Sequence, residues 1–420
     1  MNGTIFSPIT GRGGAVSVLR LSGPGALEIT AALAGGLPAP RHASLRPLRW
    51  QGRVLDHALV TSFPGPHSFT GEDSTEFSLH GGRAVFAAVS EALVALGGRP
   101  AEPGEFSRRA FLNGRMDLVA AEAMADLIAA ETEAQRAQAI EGADALQKTC
   151  ESWRESLRQT MAQQEALIDF PDEDLPPDVE AGLVQRIAGI QREMQAILEA
   201  APAAARLREG LEFVILGAPN AGKSTLLNAL AGEEVAIVSD IPGTTRDAVG
   251  VRVDLGGVPV HLTDTAGLRE TEDFVEAEGV RRAQARAARA DLIIAVAAPG
   301  EDFPAVPEGI AVLFVRTKAD LAGEGVSAQT GQGMAELRAG LAAAAARLTD
   351  TKGAATLARP RQIACVRDTA AALERALAER APECRGEELR AAAYALARLT
   401  GVIGVEEILD AVFSGFCIGK

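Results

Sequence analysis

At 420 residues, 47% of them apolar and 23% charged, the chain exceeds one ordinary core and is expected to form two or three domains. A formal net charge of -15 opposes non-specific adhesion to nucleic acid or anionic membrane, so any RNA contact has to be local. The four cysteines, Cys150, Cys365, Cys384 and Cys417, show no Cys-x-x-Cys pairing, which argues against a zinc site or a disulfide framework and for reduced thiols in a cytosol.

Met1 to Arg20 lacks a basic region followed by an apolar signal core, and no stretch approaches the roughly 18 apolar residues of a membrane span, so a cytoplasmic chain with no membrane partner is expected. From Asn2 to about Asn113 short β-like runs alternate with turns. Ala15 to Leu21 and Ala58 to Phe63 are apolar and branched, and a helix is expected from Arg83 to Leu96, giving a small α/β domain of mixed topology. From Met116 the pattern turns helical, with Leu118, Ala121, Ala125, Ile128 and Ala129 near helical spacing and few breakers through Ile168. The acidic, proline-containing segment Phe170 to Pro177 interrupts it, and another helix follows over Val179 to Leu207.

At Leu211 the texture changes. Phe213 to Leu216 reads as a buried strand, and strands alternate with helices until about Leu348, the mark of a separate α/β domain. After Thr351 to Thr356, helical periodicity resumes from Pro360 to Phe413. Because these alanine-rich helices resemble those before Leu207, the economical reading is one helical domain interrupted by an inserted nucleotide domain. No internal repeat is present. The expected boundaries are 1–114, 115–208, 209–350 and 351–420.

Gly217-x-x-x-x-Gly222-Lys223-Ser224 follows a strand and opens the helical run Thr225 to Leu230, the context of a phosphate-binding loop. Its backbone N–H groups, with Asn220 and Ala221 in the loop, close around phosphates. Lys223 neutralises the β and γ oxygens, and Ser224 is placed to hold Mg2+. About forty residues on, Asp264-Thr265-Ala266-Gly267 follows the strand Val258 to Thr263, with Asp264 facing the magnesium shell and Gly267 the γ-phosphate. Between them, in Gly243-Thr244-Thr245-Arg246-Asp247, Thr245 is placed to complete magnesium coordination when a switch loop closes on triphosphate.

Guanine selection is expected at Thr317-Lys318-Ala319-Asp320, after the strand Ile310 to Arg316. The Asp320 carboxylate can accept both guanine N1–H and N2–H. Thr317 stands where most GTPases have Asn, which predicts weaker ordering of the base loop with guanine preference kept. Ser327-Ala328-Gln329 supplies the last base-contacting loop. Where Ras-like GTPases place a water-orienting Gln, this chain has Leu268, which cannot align water. Another group has to do so, and Glu270, Glu272, Asp273, Glu276 and Glu278 are candidates.

These residues resemble the bacterial tRNA-modification GTPase family MnmE, also called TrmE, over nearly the whole chain. The resemblance is carried in the nucleotide domain by Pro219 to Ser224, Asp240-Ile241-Pro242-Gly243-Thr244-Thr245-Arg246-Asp247 and Asp264 to Glu270. More specific are Gly11-Arg12-Gly13-Gly14 with Arg20, Phe69-Thr70-Gly71-Glu72-Asp73, His80-Gly81-Gly82, Pro103 to Asn113, and the terminal Phe416-Cys417-Ile418-Gly419-Lys420.

The resemblance implies a multidomain α/β plus α fold: a Ras-like P-loop G domain inserted in a helical domain, preceded by a folate-binding α/β domain that dimerises. It implies a K+-activated GTPase in which Asn220 and the Ser239, Ile241 and Thr244 region hold K+ against the phosphates, Glu276 orients the attacking water and Arg246 supports the switch loop. It also implies a pocket for a 5-formyltetrahydrofolate-type one-carbon donor using Arg20, Glu76, Arg115 and Lys420, with Cys417 in or near the modification chemistry. The implied partners are a second copy in a homodimer, tRNA, and the flavoprotein MnmG carrying FAD, for work on the wobble uridine. A regulatory switch such as a ribosome-assembly GTPase is the alternative class. Its usual compact basic RNA-binding domain has no counterpart in these acidic, alanine-rich flanks. A dynamin-like membrane protein is a third, with no basic amphipathic stretch to support it.

Overall fold

The computed structural model describes residues 3–11, 14–169, 178–232, 250–264, 288–351 and 357–403, together with positions 409, 412–414, 416 and 419. The chain divides into two compact units, Met1–Ala125 with Ala397–Lys420, and Asp126–Leu396.

The first unit holds, in chain order, β1 (Thr4–Pro8), β2 (Val16–Ser22), α1 (Ala26–Ala34), β3 (Ser44–Trp50), β4 (Arg53–Phe63), β5 (Ser74–His80), α2 (Arg83–Ala95), β6 (Gly98–Pro100) and α3 (Glu105–Leu112). One sheet runs in the order β3-β4-β5-β2-β1-β6, antiparallel except where β1 and β6 pair in parallel. Strand periodicity selects the core face. β4 buries Asp56, Ala58, Val60 and Ser62 at alternate positions, and β5 buries Phe77 and Leu79. Ile29 and Leu33 of α1 and Val89 and Leu93 of α2 close over that face.

The last part of the chain belongs to this same unit. Leu409, Phe413 and Phe416 share a cluster with Leu118 and Ala121, and the Phe413 ring lies 5.3 Å from Phe416 and 6.3 Å from Phe111. Glycine makes the approach possible at two points. A Cβ on Gly104 would stand 2.2 Å from the Phe413 carbonyl oxygen, and one on Gly419 would stand 2.2 Å from that of Pro8.

The helical run after Met116 resolves into α4 (Leu118–Ala129), most of which belongs to the first unit, and, in the second unit, α5 (Glu133–Ala137), a π-helical turn (Gln138–Gly142) and α6 (Ala143–Asp169), followed by α7 (Asp178–Glu209). Thr132 stops α4 and starts α5 through a capping box, in which Gln135 returns its side-chain oxygen to the Thr132 N–H. The acidic segment at 170–177 lies outside the described residues.

Next come β7 (Leu211–Gly217), α8 (Lys223–Leu230), β8 (Gly250–Leu255), β9 (Val258–Asp264), β10 (Leu292–Ala297), β11 (Ala311–Arg316), α9 (Ala319–Ala322) and α10 (Met334–Leu348). Their sheet order is β11-β10-β7-β9-β8, parallel apart from the β8–β9 hairpin. All six residues of β10, Leu-Ile-Ile-Ala-Val-Ala, are buried, as a central parallel strand requires. Leu226 and Leu230 of α8 and Leu337 and Leu341 of α10 pack into this core.

The helical periodicity from Pro360 forms two helices, α11 (Pro360–Ala378) and α12 (Pro382–Thr400). Glu379 leaves helical geometry with ψ 134, and Pro382 opens the next helix, where its missing N–H costs nothing. α11 packs along α7, which also meets α6. Trp153 of α6 is buried and donates its indole N–H to Glu193 at 3.0 Å.

A polar joint ties helices to nucleotide sheet within this unit. Asp126 accepts from Arg208 at 3.0 Å and from Arg359 at 2.6 Å. Gln135 donates to the Arg208 carbonyl at 3.0 Å, and the Ala134 N–H to that of Gly257 at 3.2 Å. Among the described residues no helix is long and apolar enough to cross a membrane.

Candidate functional site

The nucleotide site forms where parallel strands end. β7 pairs with β10 on one side and β9 on the other, so the crevice beyond its C-terminal end is a topological switch point, the usual ligand position in an open α/β sheet. Gly217 closes β7 and has no room for a side chain, since an added Cβ would lie 2.4 Å from the Val296 carbonyl oxygen. Asn220 turns the loop at φ 64 and Gly222 caps α8 at φ 86. Ala221 is buried, whereas Asn220, Ser224 and Thr225 are exposed at the mouth of the site.

Lys223, 5% exposed, curls back so that Nζ donates to the carbonyls of Gly217 at 3.0 Å and Ala218 at 2.8 Å. These bonds hold the ammonium over the loop's own concavity. The Ser224 hydroxyl donates to Asp264 Oδ2 at 2.5 Å, which joins the phosphate loop to the end of β9. Two hard oxygen donors side by side suit Mg2+. Thr265, Ala266, Gly267, Ser239, Asp240, Ile241, Pro242, Gly243, Thr244, Thr245, Arg246 and Glu276 lie outside the described residues.

The base loop follows β11. Lys318 takes a left-handed conformation at φ 56, and Asp320 accepts at Oδ1 from the hydroxyl of buried Ser327 at 2.7 Å. That bond fixes the carboxylate rotamer while Asp320 itself stays exposed. Ala328 is partly buried and Gln329 exposed beside Ser327. Thr317 makes the local bonds that a hydroxyl in place of Asn can make. Its hydroxyl is buried and lies 2.6 Å from the Ala221 carbonyl and 3.2 Å from that of Ala297, so the base loop is fastened to the phosphate loop through a residue far away in sequence.

The second cluster lies in the first unit. The β2–β5 register sets Arg20 opposite Glu76 on the face away from α1 and α2, and Arg20 donates from Nη2 at 2.9 Å and Nε at 3.1 Å. The guanidinium also stacks 4.6 Å above the Phe69 ring and 5.7 Å from that of Phe106. The Arg115 stem runs beside Gly71, in the same turn as Phe69; a Cβ there would be 3.1 Å from Arg115 Cγ. Lys420 and Cys417 lie outside the described residues.

Behind this cluster is a charged network that residue spacing alone does not reveal. Arg109, 2% exposed, donates to Glu105 at 2.9 Å, to Glu72 at 3.0 Å and to the Gly3 carbonyl at 2.9 Å. Arg99 grips Glu105 from the other side at 2.5 and 2.9 Å. Burial pushes the Glu105 carboxyl up, but Arg99, the Glu102 N–H and Arg109 outweigh it and hold it below the usual range. Ser22, bonded to Thr70 at 2.6 Å and Glu72 at 3.1 Å, and Asn113, bonded to the Thr70 carbonyl at 2.7 Å, complete the support of the Phe69–Asp73 turn. Its sequence signals were the family-resembling segments Phe69 to Asp73 and Pro103 to Asn113 and the density of charge within them.

Asp56 and His80, brought together by sheet register, make a further pair at 2.6 Å. Burial raises the Asp56 carboxyl, and the backbone N–H and ring of His80 and the N–H of His57 lower it further, so that it too sits below its ordinary value.

Comparison with known proteins agrees with this geometry. The family description "MnmE helical domain" matches residues 118–417, and "GTP-binding protein TrmE N-terminus" matches residues 4–115. A tRNA modification GTPase MnmE of Acidiphilium cryptum is 61% identical, spanning 99% of this chain and 98% of its own length. One of Gluconacetobacter diazotrophicus is 53% identical over the same shares. Aquifex aeolicus Era bound to GDP and aluminium fluoride aligns at 24% identity over 41% of this chain and 69% of its own, with a TM-score of 0.25, too slight a likeness to build on. With a P-loop at the switch point of its parallel sheet and full-length identity of this order to several members, the chain belongs to the MnmE family of tRNA modification GTPases.

Proposed function

We propose that this chain binds and hydrolyses GTP in tRNA modification. Working with the flavoprotein MnmG and its FAD, it forms the 5-carboxymethylaminomethyl or aminomethyl group on the wobble uridine of certain tRNAs. The observation that carries the reading is the convergence of Lys223, Ser224, Asp264 and Thr317 at the end of β7, on a chain related to MnmE proteins from end to end. Lys223 exchanges its carbonyl partners for β and γ phosphate oxygens, and Asp320 accepts the guanine N–H groups. Ser224 and Thr245 would hold Mg2+, which supplies neutralising charge to the phosphates.

The resemblance extends the proposal to K+, held by Asn220, Ser239, Ile241 and Thr244 in the electrostatic place of an arginine finger. The exposed carboxamide of Asn220 is a suitable oxygen donor. Glu276 orients the attacking water through a second water, because a carboxylate in direct contact with the γ-phosphate would be repelled. Arg246 supports the switch loop. Arg20, Glu76, Arg115 and Lys420 bind the one-carbon donor, with Cys417 near the modification chemistry. The protein works in the cytoplasm as a homodimer, with domains at 1–114, 115–208, 209–350 and 351–420.

Removal of the gene followed by mass spectrometry of tRNA nucleosides tests the main claim: the modified wobble uridine disappears, and unchanged uridines sink the proposal. GTPase rates in K+ exceed those in Na+ by at least about tenfold; equal rates remove the cation assignment. Glu276→Ala abolishes turnover with binding retained, and retained turnover moves the water-orienting role elsewhere.

A further inference from the structure

Guanine presents two recognition edges. The six-membered ring offers the donors N1–H and N2–H2 beside the acceptor O6, and the five-membered ring offers N7, which can only accept. A residue that both fastens the base loop to the phosphate loop and contacts N7 therefore needs two hydrogens. An Asn carboxamide has two and a Thr hydroxyl has one.

At position 317 that single hydrogen is committed. Both oxygens near Thr317 Oγ1 are carbonyls, Ala221 at 2.6 Å and Ala297 at 3.2 Å, so the hydroxyl has to be the donor, and its lone pairs face any other acceptor with repulsion. The residue is 4% exposed, and turning the hydroxyl toward a ligand would strand the buried Ala221 carbonyl. Ser327, the neighbouring hydroxyl, is likewise spent, donating to Asp320 at 2.7 Å. Of Thr317, Ser327 and Asp320, the exposed Asp320 carboxylate is the one that can still accept, and it is suited to N1–H and N2–H2.

We propose that this chain selects guanine through the six-membered-ring edge alone and does not read N7, so that a guanine nucleotide with carbon in place of N7 is bound and hydrolysed like GTP. This rests on the reading of the chain as a GTPase. Thr317 is then a positioning residue that keeps the two loops in register and leaves the five-membered ring unread.

The test is displacement of a fluorescent GDP analogue from the full-length protein by GTP, 7-deaza-GTP and xanthosine triphosphate. GTP and 7-deaza-GTP displace it with midpoints within about twofold of each other, and xanthosine triphosphate, which lacks the N2 amine, fails to compete. Thr317→Asn restores a second hydrogen and separates GTP from 7-deaza-GTP by about tenfold. A wild-type preference of about fivefold or more for GTP over 7-deaza-GTP overturns the proposal, as does a Thr317→Asn protein that treats the two alike. Failure of GTP itself to displace the analogue would instead overturn the GTPase reading, and this inference with it.

Discussion

Arg109→Met removes the centre of the charged network in the first unit while keeping most of the stem's volume. Three acceptors lose a donor: Glu105 at 2.9 Å, Glu72 at 3.0 Å and the Gly3 carbonyl at 2.9 Å. Breaking a buried ion pair from one side costs about 3–5 kcal/mol. Glu105 is not left bare, however. Arg99 still holds both its oxygens, and the Glu102 N–H adds a bond at 3.0 Å; Glu72 is 22% exposed and can recover water.

The expected loss is therefore near the lower bound, about 3 kcal/mol, or roughly two decades in an opening equilibrium. Hydrogen exchange with mass spectrometry on peptides from β1 and α3 reads it directly. Exchange in those peptides rises by about a hundredfold, while peptides from β7 and β10 stay unchanged. Adding Glu105→Gln to Arg109→Met lowers stability further, because it also breaks the remaining Arg99 pair. A rise below about tenfold in the single variant would mean that Arg99 alone satisfies Glu105 and that Arg109 is not the centre of the network.

Acid reaches the same unit by another route. Glu105 and Asp56 both have lowered folded values, so the stability they contribute is fully present above the ordinary carboxylate range, about 3.9 to 4.3, and is lost as pH falls through the lowered folded values. Protection factors in β5 and α3, with the pH dependence of intrinsic exchange divided out, fall on that descent, and rising protection there would reverse the sign. Gly217→Ala drives a methyl to 2.4 Å from the Val296 carbonyl oxygen, which has to push β7 from β10. GTP affinity falls by at least about tenfold, measured by fluorescent-nucleotide titration, and an unchanged affinity would show that the loop can yield. Arg20→Met removes the cation from Phe69 and Glu76. On the proposed folate assignment, binding of 5-formyltetrahydrofolate weakens by about tenfold in calorimetry while GTP affinity is unaltered, and equal folate affinity would take Arg20 out of the proposed site.

What the sequence made legible was local. The glycines and Lys223 of the phosphate loop carry their chemistry within eight consecutive residues, and β7 preceding them was visible as a short apolar run. The helix Arg83–Leu96 likewise closes within one residue of its expected end. Bonds across long separations were not readable. Thr317 differs from Asn by one hydrogen donor, and only the meeting of β11 with the phosphate loop shows where its single hydrogen goes. Asp56 and His80 sit on different strands, and Arg109 meets Glu72 through the packing of α3 against a turn. Within the helical run from Pro360 the position of the break was not readable, because alanine-rich periodicity continues on either side of Glu379, where the backbone turns extended.

The contacts of Phe413 with Gly104 and of Gly419 with Pro8 impose an order on synthesis. The residues that cap the unit of β1 are translated only after the whole of the second unit has been made. Until then, Phe111 and Leu118 lack the aromatic partners that bury them. The apolar surface of Phe111 and Leu118 is therefore covered only once the C-terminal residues have been made.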